Sequence, residues 1–570
     1  MTCTKFKLTT VAALVLAATN ANAALYKVVE VTPSITGASE IFGVAIQPAT
    51  VSGTESCFTT GTVGGIACDS FKLAGETRDT LEAVSYREEV PFAMDAPFQY
   101  IQEFDDFENY CYRELRYSTC ESWAQNRWND TWSKERNDLS YVNAKAFVEG
   151  GDTFTSRNTV INSLYAKSAT EVEPLGVKSE GGIRNNALHT ESVAPAGSSE
   201  TRAWRAIKAS DGKVYNVGSV SEEFDPTDTS EPDKAFASKA AIWDGTTTKQ
   251  IDWIRSGNAQ QGDYFAQGSM RSIVESNSVF YGVGYNTADG NGDLQDMNAS
   301  VFISKSLDLA DSNNTWTTKE IGGAEVNSGS NNDDARYSNS VATDINDNLF
   351  AVGYSKRNGY VPESGSAGNK IFVVTDAKNP TATYLSGGIF FGGSSGEAKA
   401  VNNFNEFVGQ IDAETTREVD GSERRHRGFI YPYQATGTDA SRIALFESKA
   451  WWLDDLTNDG NASGENNKFR IIDASDINDA GVISATAIKC TVGGTTQAYD
   501  TTSHNSYCGG AASNAVEEVV AVKLIPIAGA TKADIQTRST DTEKVDRQGG
   551  SLGWLGLTVL GLLGFRRKFK

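Results

Sequence analysis

Asp344-Ile-Asn-Asp-Asn-Leu-Phe-Ala-Val-Gly353 decides the fold, because the chain writes it again. Ala400-Val-Asn-Asn-Phe-Asn-Glu-Phe-Val-Gly409 lines up with it position by position, and Asp476-Ile-Asn-Asp-Ala-Gly-Val-Ile-Ser484 reads as a third copy, one residue shorter and closing on serine. Weaker copies close on Gly284 and Gly218, and Ile41-Phe42-Gly43 reads as an earlier one. From Gly218 to Ser484 the closing residues stand 56 to 75 apart, so each unit is one supersecondary block with loops of varied length. Inside a block, Asn and Asp accept a turn conformation, a β-branched and aromatic run follows, and a small residue closes it. A second apolar run then returns: Ala241-Ile-Trp243, Val301-Phe-Ile303, Ile371-Phe-Val-Val374, Gly428-Phe-Ile430 and, later in its block, Ala521-Val-Lys-Leu524. This pattern predicts a mainly β chain, a propeller-like array of six or seven blades whose radial packing protects the strand edges. Tandem β-sandwiches are the alternative.

The two ends carry a different signal. Lys5 and Lys7 precede an apolar run at 11–18, and small residues at Ala21 and Ala23 form an A-x-A site. That order predicts a signal peptide over 1–23, cut by signal peptidase. At the other end, Gly549-Gly550 leads into a charge-free stretch, 552–565, and then Arg566-Arg567-Lys568. As a helix that stretch is roughly 21 Å long, short of a hydrocarbon core of about 30 Å. The basic cluster belongs on the cytoplasmic side, which predicts transient anchoring through the C-terminal tail. The Gly pair, the Gly/Leu-rich span and the terminal basic cluster resemble the GlyGly-CTERM sorting signal of Gram-negative bacteria. The resemblance implies cleavage near Gly549 and Gly550 by a rhomboid-type intramembrane protease (rhombosortase) and handling by type II secretion machinery.

The blocks also resemble the HAF-type repeats of bacterial extracellular proteins, roughly I-N-x-x-G-x-x-V-G followed by an A-F-L-W-like strand. Asp476-Ile-Asn-Asp-Ala-Gly-Val-Ile483 and Ala241-Ile-Trp-Asp-Gly245 come nearest. Signal, repeats and tail together resemble an exported bacterial family known only as a domain of unknown function. The repeat match spans 205–525, implies a fold, and brings no catalytic residues with it.

Composition narrows the partners. The chain has 51 basic against 73 acidic residues, and the tags hold six of the basic ones. So acidic a body disfavours nucleic acid, which needs clustered Lys and Arg. Cys3 leaves with the signal. The other six cysteines fall as near neighbours, Cys57 with Cys68, Cys111 with Cys120 and Cys490 with Cys508, which predicts three local disulfides in an exported protein. None of these pairs has a zinc-knuckle gap, and only His189, His426 and His504 are at hand to complete a zinc site.

One segment, from Phe104 to Phe147, breaks the β pattern. Trp123, Trp128 and Trp132 stand four to five apart, which places them on one helical face. That face is core or, if exposed, a strip for sugar rings. The expected layout is therefore a signal at 1–23, a first β segment at 24–100 and a helical, disulfide-containing insertion at 101–170. The β repeats follow at 171–530, then a linker at 531–548 and the sorting tail at 549–570.

Three motifs carry candidate chemistry. Gly392-Gly-Ser-Ser-Gly396 satisfies G-x-S-x-G, but Ser394 leads into another β repeat rather than the helix such an elbow needs. Asp289, Asn291, Asp293 and Asp296 alternate oxygen ligands with glycine, a candidate calcium loop. Asp455-Leu-Thr-Asn-Asp-Gly460 imitates the start of an EF-hand loop, with Asn466 where the bidentate Glu should stand. Glycosidase carboxylates cannot be singled out by spacing. The leading expectation is a secreted or cell-surface binding module for a glycan or a surface protein. A secreted hydrolase with its site on one propeller face and a structural envelope protein are the alternatives.

Overall fold

The computed structural model describes residues 24–543, apart from 54, 79–102, 113–116, 130–132, 135–137, 139, 181–182, 189–197, 226–234, 262–263, 292–293, 326–339, 357–362, 364–367, 416–423, 461–464, 499–501, 504–505, 510–512 and 539–541. Six antiparallel sheets of four strands, one of them with a short extra strand at Thr495–Gln497, are the blades of a β-propeller. A three-stranded sheet stands between the first and second of these, so seven sheets follow one another around a closed ring. In chain order their inner strands are Glu40–Ile46, Thr159–Ala166, Ser198–Lys208, Gly268–Ser276, Ser340–Ile345, Gly396–Val401 and Phe469–Ile477. The returning apolar runs seen in the sequence lie in third strands such as Ala235–Trp243, Leu294–Ile303 and Asn369–Val374.

The ring closes by borrowing. Tyr26–Glu30, rich in β-branched residues, pairs antiparallel with Val516–Pro526 and becomes the outer strand of the seventh sheet. Lys523 Nζ, on a residue 1 % exposed, then ties that sheet to the first, reaching Glu149 at 2.9 Å and the carbonyls of Asp69 and Phe71 at 2.8 Å.

One irregularity repeats in all seven sheets. Each inner strand carries a β-bulge, at Val44, Asn162, Trp204, Arg271, Thr343, Lys399 and Ser475. The residue before each bulge faces, on the second strand, Gly75, Gly176, Gly218, Gly284, Gly353, Gly409 or Ala485. The bulge explains the glycines: a Cβ at Gly218 or Gly353 would run into the carbonyl oxygen of Arg202 or Val341.

Several expectations need correction. The third repeat is not shorter, since Ala485 rather than Ser484 fills the glycine position. Gly43 is not a closing glycine either. It lies on an inner strand, pressed against the Ala485 carbonyl, and Gly75 is the true equivalent. Helices Phe104–Tyr110 and Cys120–Arg127 do interrupt the first sheet, between Leu73–Arg78 and Lys145–Val148, but strands resume well before residue 170. Thr159–Ala166 is already the inner strand of the second sheet, as its β-branched residues favour. The start of the supposed linker is docked: Arg538, 3 % exposed, donates to the carbonyls of Phe469 and Asn467 at 2.5 and 2.6 Å.

Candidate functional site

A bulge turns two successive side chains to the same side of the strand. In the second, fifth and seventh sheets those side chains stitch each sheet to the next. Asn162 and Ser163 donate to the carbonyls of Ala203 and Trp204 at 2.9 and 2.6 Å. Thr343 donates to Ala398 O at 2.8 Å, and Asp344 accepts from Val401 N at 2.9 Å. Ser475 donates to Gly43 O, and Asp476 accepts from Ile46 N at 2.9 Å. The repeated asparagines add a second row: Asn346 donates to Asn402 O at 2.8 Å, Asn402 to Asn478 O at 3.3 Å, and Asn478 to Gln47 O at 2.9 Å. The Asp-Ile-Asn motif is thus explained by how sheets join.

The third and fourth sheets abandon this rule. At the stitch positions they carry Trp204-Arg205 and Arg271-Ser272. Arg205 reaches past the fourth sheet to Asp344 of the fifth, at 3.5 Å, and also feels Asp476 of the seventh. Sheets so far apart around a ring meet only at its axis, so this cluster is axial. Burial works to discharge Arg205, but Asp344 and then Asp476 outweigh it and hold its pKa up. Asp476 is the weaker partner: burial pushes it up to about 6 against the pull of Arg205. Beside them the Arg271 guanidinium lies 3.5 Å from the centre of the Trp204 ring. At the bulge of the sixth sheet, Lys399 pairs with Asp473 at 2.9 Å.

Both axial carboxylates are already occupied. Asp344 takes Ile345 N at 3.0 Å besides Val401 N, and Asp476 takes Ile477 N at 3.0 Å besides Ile46 N. By contrast Trp204 Nε1, Arg205 Nε, Arg271 Nε, Ser269 Oγ and Ser272 Oγ are buried donors with no hydrogen-bond partner among the described residues. Trp204, Arg205 and Arg271 were missed in the sequence. Aligning every block on its bulge would have shown them standing where Thr343, Asp344 and Ser475 stand elsewhere.

The motifs singled out in the sequence resolve differently. Downstream of Ser394, Asp412 lies against His426, Oδ1 3.2 Å from Nε2, while its Oδ2 takes Arg424 at 2.5 Å and Ser395 N at 2.9 Å. Ser394 Oγ, however, donates to Phe391 O at 2.8 Å within its own turn, so no relay forms. The EF-hand-like loop is a short helix, Leu453–Thr457, whose Asp455 caps Arg538 N at 2.8 Å and whose neighbour Asp454 pairs with Arg427 and Arg470. Those oxygens are held by protein groups. Asp289 and Asn291 sit at the tip of a long hairpin, Val279–Asn291 with Leu294–Ile303, where Asp289 faces buried Asp296. Asp293 lies outside the described residues. Among those described, no group of three or more metal-ligating His, Cys, Asp or Glu occurs.

Cys57–Cys68, Cys111–Cys120 and Cys490–Cys508 form the three expected disulfides, which suit an extracellular or oxidising environment. Trp123 is core, 2 % exposed, edge-on to Tyr117, and Trp128 is partly buried. Trp132, His189 and His504 fall outside the described residues, as do Ala21, Ala23, Gly549 and Gly550. Among those described, no helix is long and apolar enough to cross a membrane.

Comparisons with known proteins add the family. Solved structures with a similar course include a GH130 glycoside hydrolase that targets β-1,2 mannosidic linkages in Candida mannan, at 8 % identity and TM-score 0.21, covering 65 % of this chain and 98 % of that one. Another is the GH32 β-fructofuranosidase of Bombyx mori, at 10 % identity and TM-score 0.24, covering 66 % and 82 %. An exo-β-1,3-galactanase from Clostridium thermocellum matches at 11 % identity and TM-score 0.18, covering 70 % and 90 %. Scores so low carry no argument about activity. No curated protein matches. A family model does match, over residues 208–568, and by it the chain belongs to DUF3466, a protein family of unknown function.

Proposed function

We propose that this protein is an exported binding module that takes its ligand at the axis of the ring. The observation that carries the reading is the exchange of stitching residues for Trp204, Arg205 and Arg271 in two adjacent sheets. Buried charge and unspent donors cost stability. The first and sixth sheets also lack the stitch, carrying Val44-Ala45 and Lys399-Ala400, but Lys399 is paired with Asp473. At Trp204, Arg205 and Arg271 the exchange instead leaves buried donors without partners among the described residues, the expected mark of a functional site. The hydrolase alternative draws no support from Asp344 and Asp476, whose oxygens are spent on backbone N–H groups.

Export rests on the Ala21 and Ala23 cleavage site, the Gly549-Gly550 tail and the three disulfides. Bulky residues at Gly549 and Gly550 should leave an uncut, membrane-held form. Release of that variant at normal size would remove the sorting reading. For binding, the mature protein should be retained on a glycan or surface-protein array, and the Trp204→Ala/Arg205→Ala double variant should not. Turnover in an esterase, protease or glycosidase panel, abolished by one carboxylate substitution, would overturn the proposal.

A further inference from the structure

Among the axial cations, Arg271 has the surroundings least like an ion pair. Its strand, Gly268–Ser276, presents Ser269, Arg271 and Ser272 to one side, because the bulge after Met270 turns Arg271 and Ser272 the same way. The guanidinium lies 3.5 Å over Trp204 and 5.4 Å from the Tyr285 ring. Burial lowers its pKa; Tyr285 and Tyr354 oppose that, and the like charge of Arg202 adds to it. No carboxylate pairs with it among the described residues. Arg424, Arg425, Arg427, Arg442 and Arg470 each have a carboxylate in contact.

The donor account points the same way. Arg271 Nε, Trp204 Nε1, Ser269 Oγ and Ser272 Oγ are four buried donors, on two neighbouring inner strands, with no acceptor among the described residues. Nearby Arg205 takes Asp344 at 3.5 Å and also feels Asp476, and neither carboxylate pairs with Arg271. Resting on the binding-module reading, we propose that Arg271, Trp204, Ser269 and Ser272 form an oxyanion site for a carboxylate, sulfate or phosphate group of the axial ligand. Arginine suits this because its planar fork meets two oxygens at once, and the Trp204 face holds that plane in place.

The site works by contact, not by long-range attraction, since the chain as a whole carries a net charge of −22. Salt screens the repulsion between that body and an anion. Binding should therefore hold or strengthen from low to moderate salt, whereas an exposed basic patch weakens.

The test uses the mature protein with three probes, sulfate, phosphate and a galacturonate trimer, and a neutral galactose trimer as control. Calorimetry and thermal shift are read at matched ionic strength. At least one anion should bind, and which one identifies the source of the group. Arg271→Met should weaken it roughly tenfold to a hundredfold, the loss expected for a charged hydrogen bond, with Arg271→Lys in between. If Arg271→Met does not fold, Ser272→Asp supplies a carboxylate beside the fork and should abolish the binding. No anion bound by the wild type, or equal binding by these variants, overturns the proposal. Array retention without anion binding removes this site and leaves the module reading standing; neither signal removes both.

Discussion

Replacing Asp476 by Asn tests whether one guanidinium serves two carboxylates at the axis. Arg205 lies 3.5 Å from Asp344, whereas Asp476 feels it less strongly than it feels its own burial, and titrates at about 6 instead of the ordinary 3.8. The folded carboxyl holds its proton more tightly than the unfolded one. Its contribution to stability is therefore present in full below 3.8 and is lost as pH rises through about 6. A gap of about two units corresponds to about 3 kcal/mol. Asn cannot ionise. It also keeps only one acceptor for the N–H groups of Ile46 and Ile477, a cost of about 1 kcal/mol that does not vary with pH. Urea midpoints and thermal midpoints of both proteins should be measured on one pH series. Wild-type stability relative to the variant should fall by about 3 kcal/mol as the group ionises. A difference that does not change with pH would refute the reasoning, because Asp476 would then titrate as it does in the unfolded chain.

The bulge makes Gly353→Ala costly: its Cβ meets the Val341 carbonyl, and denaturation should show a loss of about 1–3 kcal/mol. Ala485→Gly, at the same place in the seventh sheet, should cost under about 1 kcal/mol by the same assay. Lys523→Met strips Glu149 and the Asp69 and Phe71 carbonyls of their cation where the seventh sheet meets the first. Since Glu149 keeps Leu73 N at 3.0 Å and is partly exposed, the loss should be about 1–3 kcal/mol, with faster proteolysis near the N-terminal strand as a second readout.

Those residues also show which parts of the fold were legible. The Asp-Ile-Asn blocks could be read because the stitch demands the same side chains wherever Asp344 and Asp476 recur. The second sheet was hidden because Asn162 and Ser163 do that work with different residues, and its Gly176 stands outside any Asp-Asn turn. The first sheet was split by the helical insertion, which set Gly75 far from Lys145–Val148 and let Gly43 pass for the repeat glycine. Ring closure was out of reach, because Tyr26 and its partner Pro526 sit at opposite ends of the chain and no local pattern links them. The axial site was passed over for the opposite reason. A search for similarity sees where the repeats agree, and Trp204, Arg205 and Arg271 are where they stop agreeing.

The indole N–H groups offer the most direct measurement. The chain has 10 tryptophans, and Trp204→Phe assigns the one at the axis. With nitrogen-labelled protein, titration of a ligand retained on the array should shift the Trp204 signal first and furthest. Saturation that moves other indoles and leaves Trp204 still would place the ligand elsewhere and contradict the axial account.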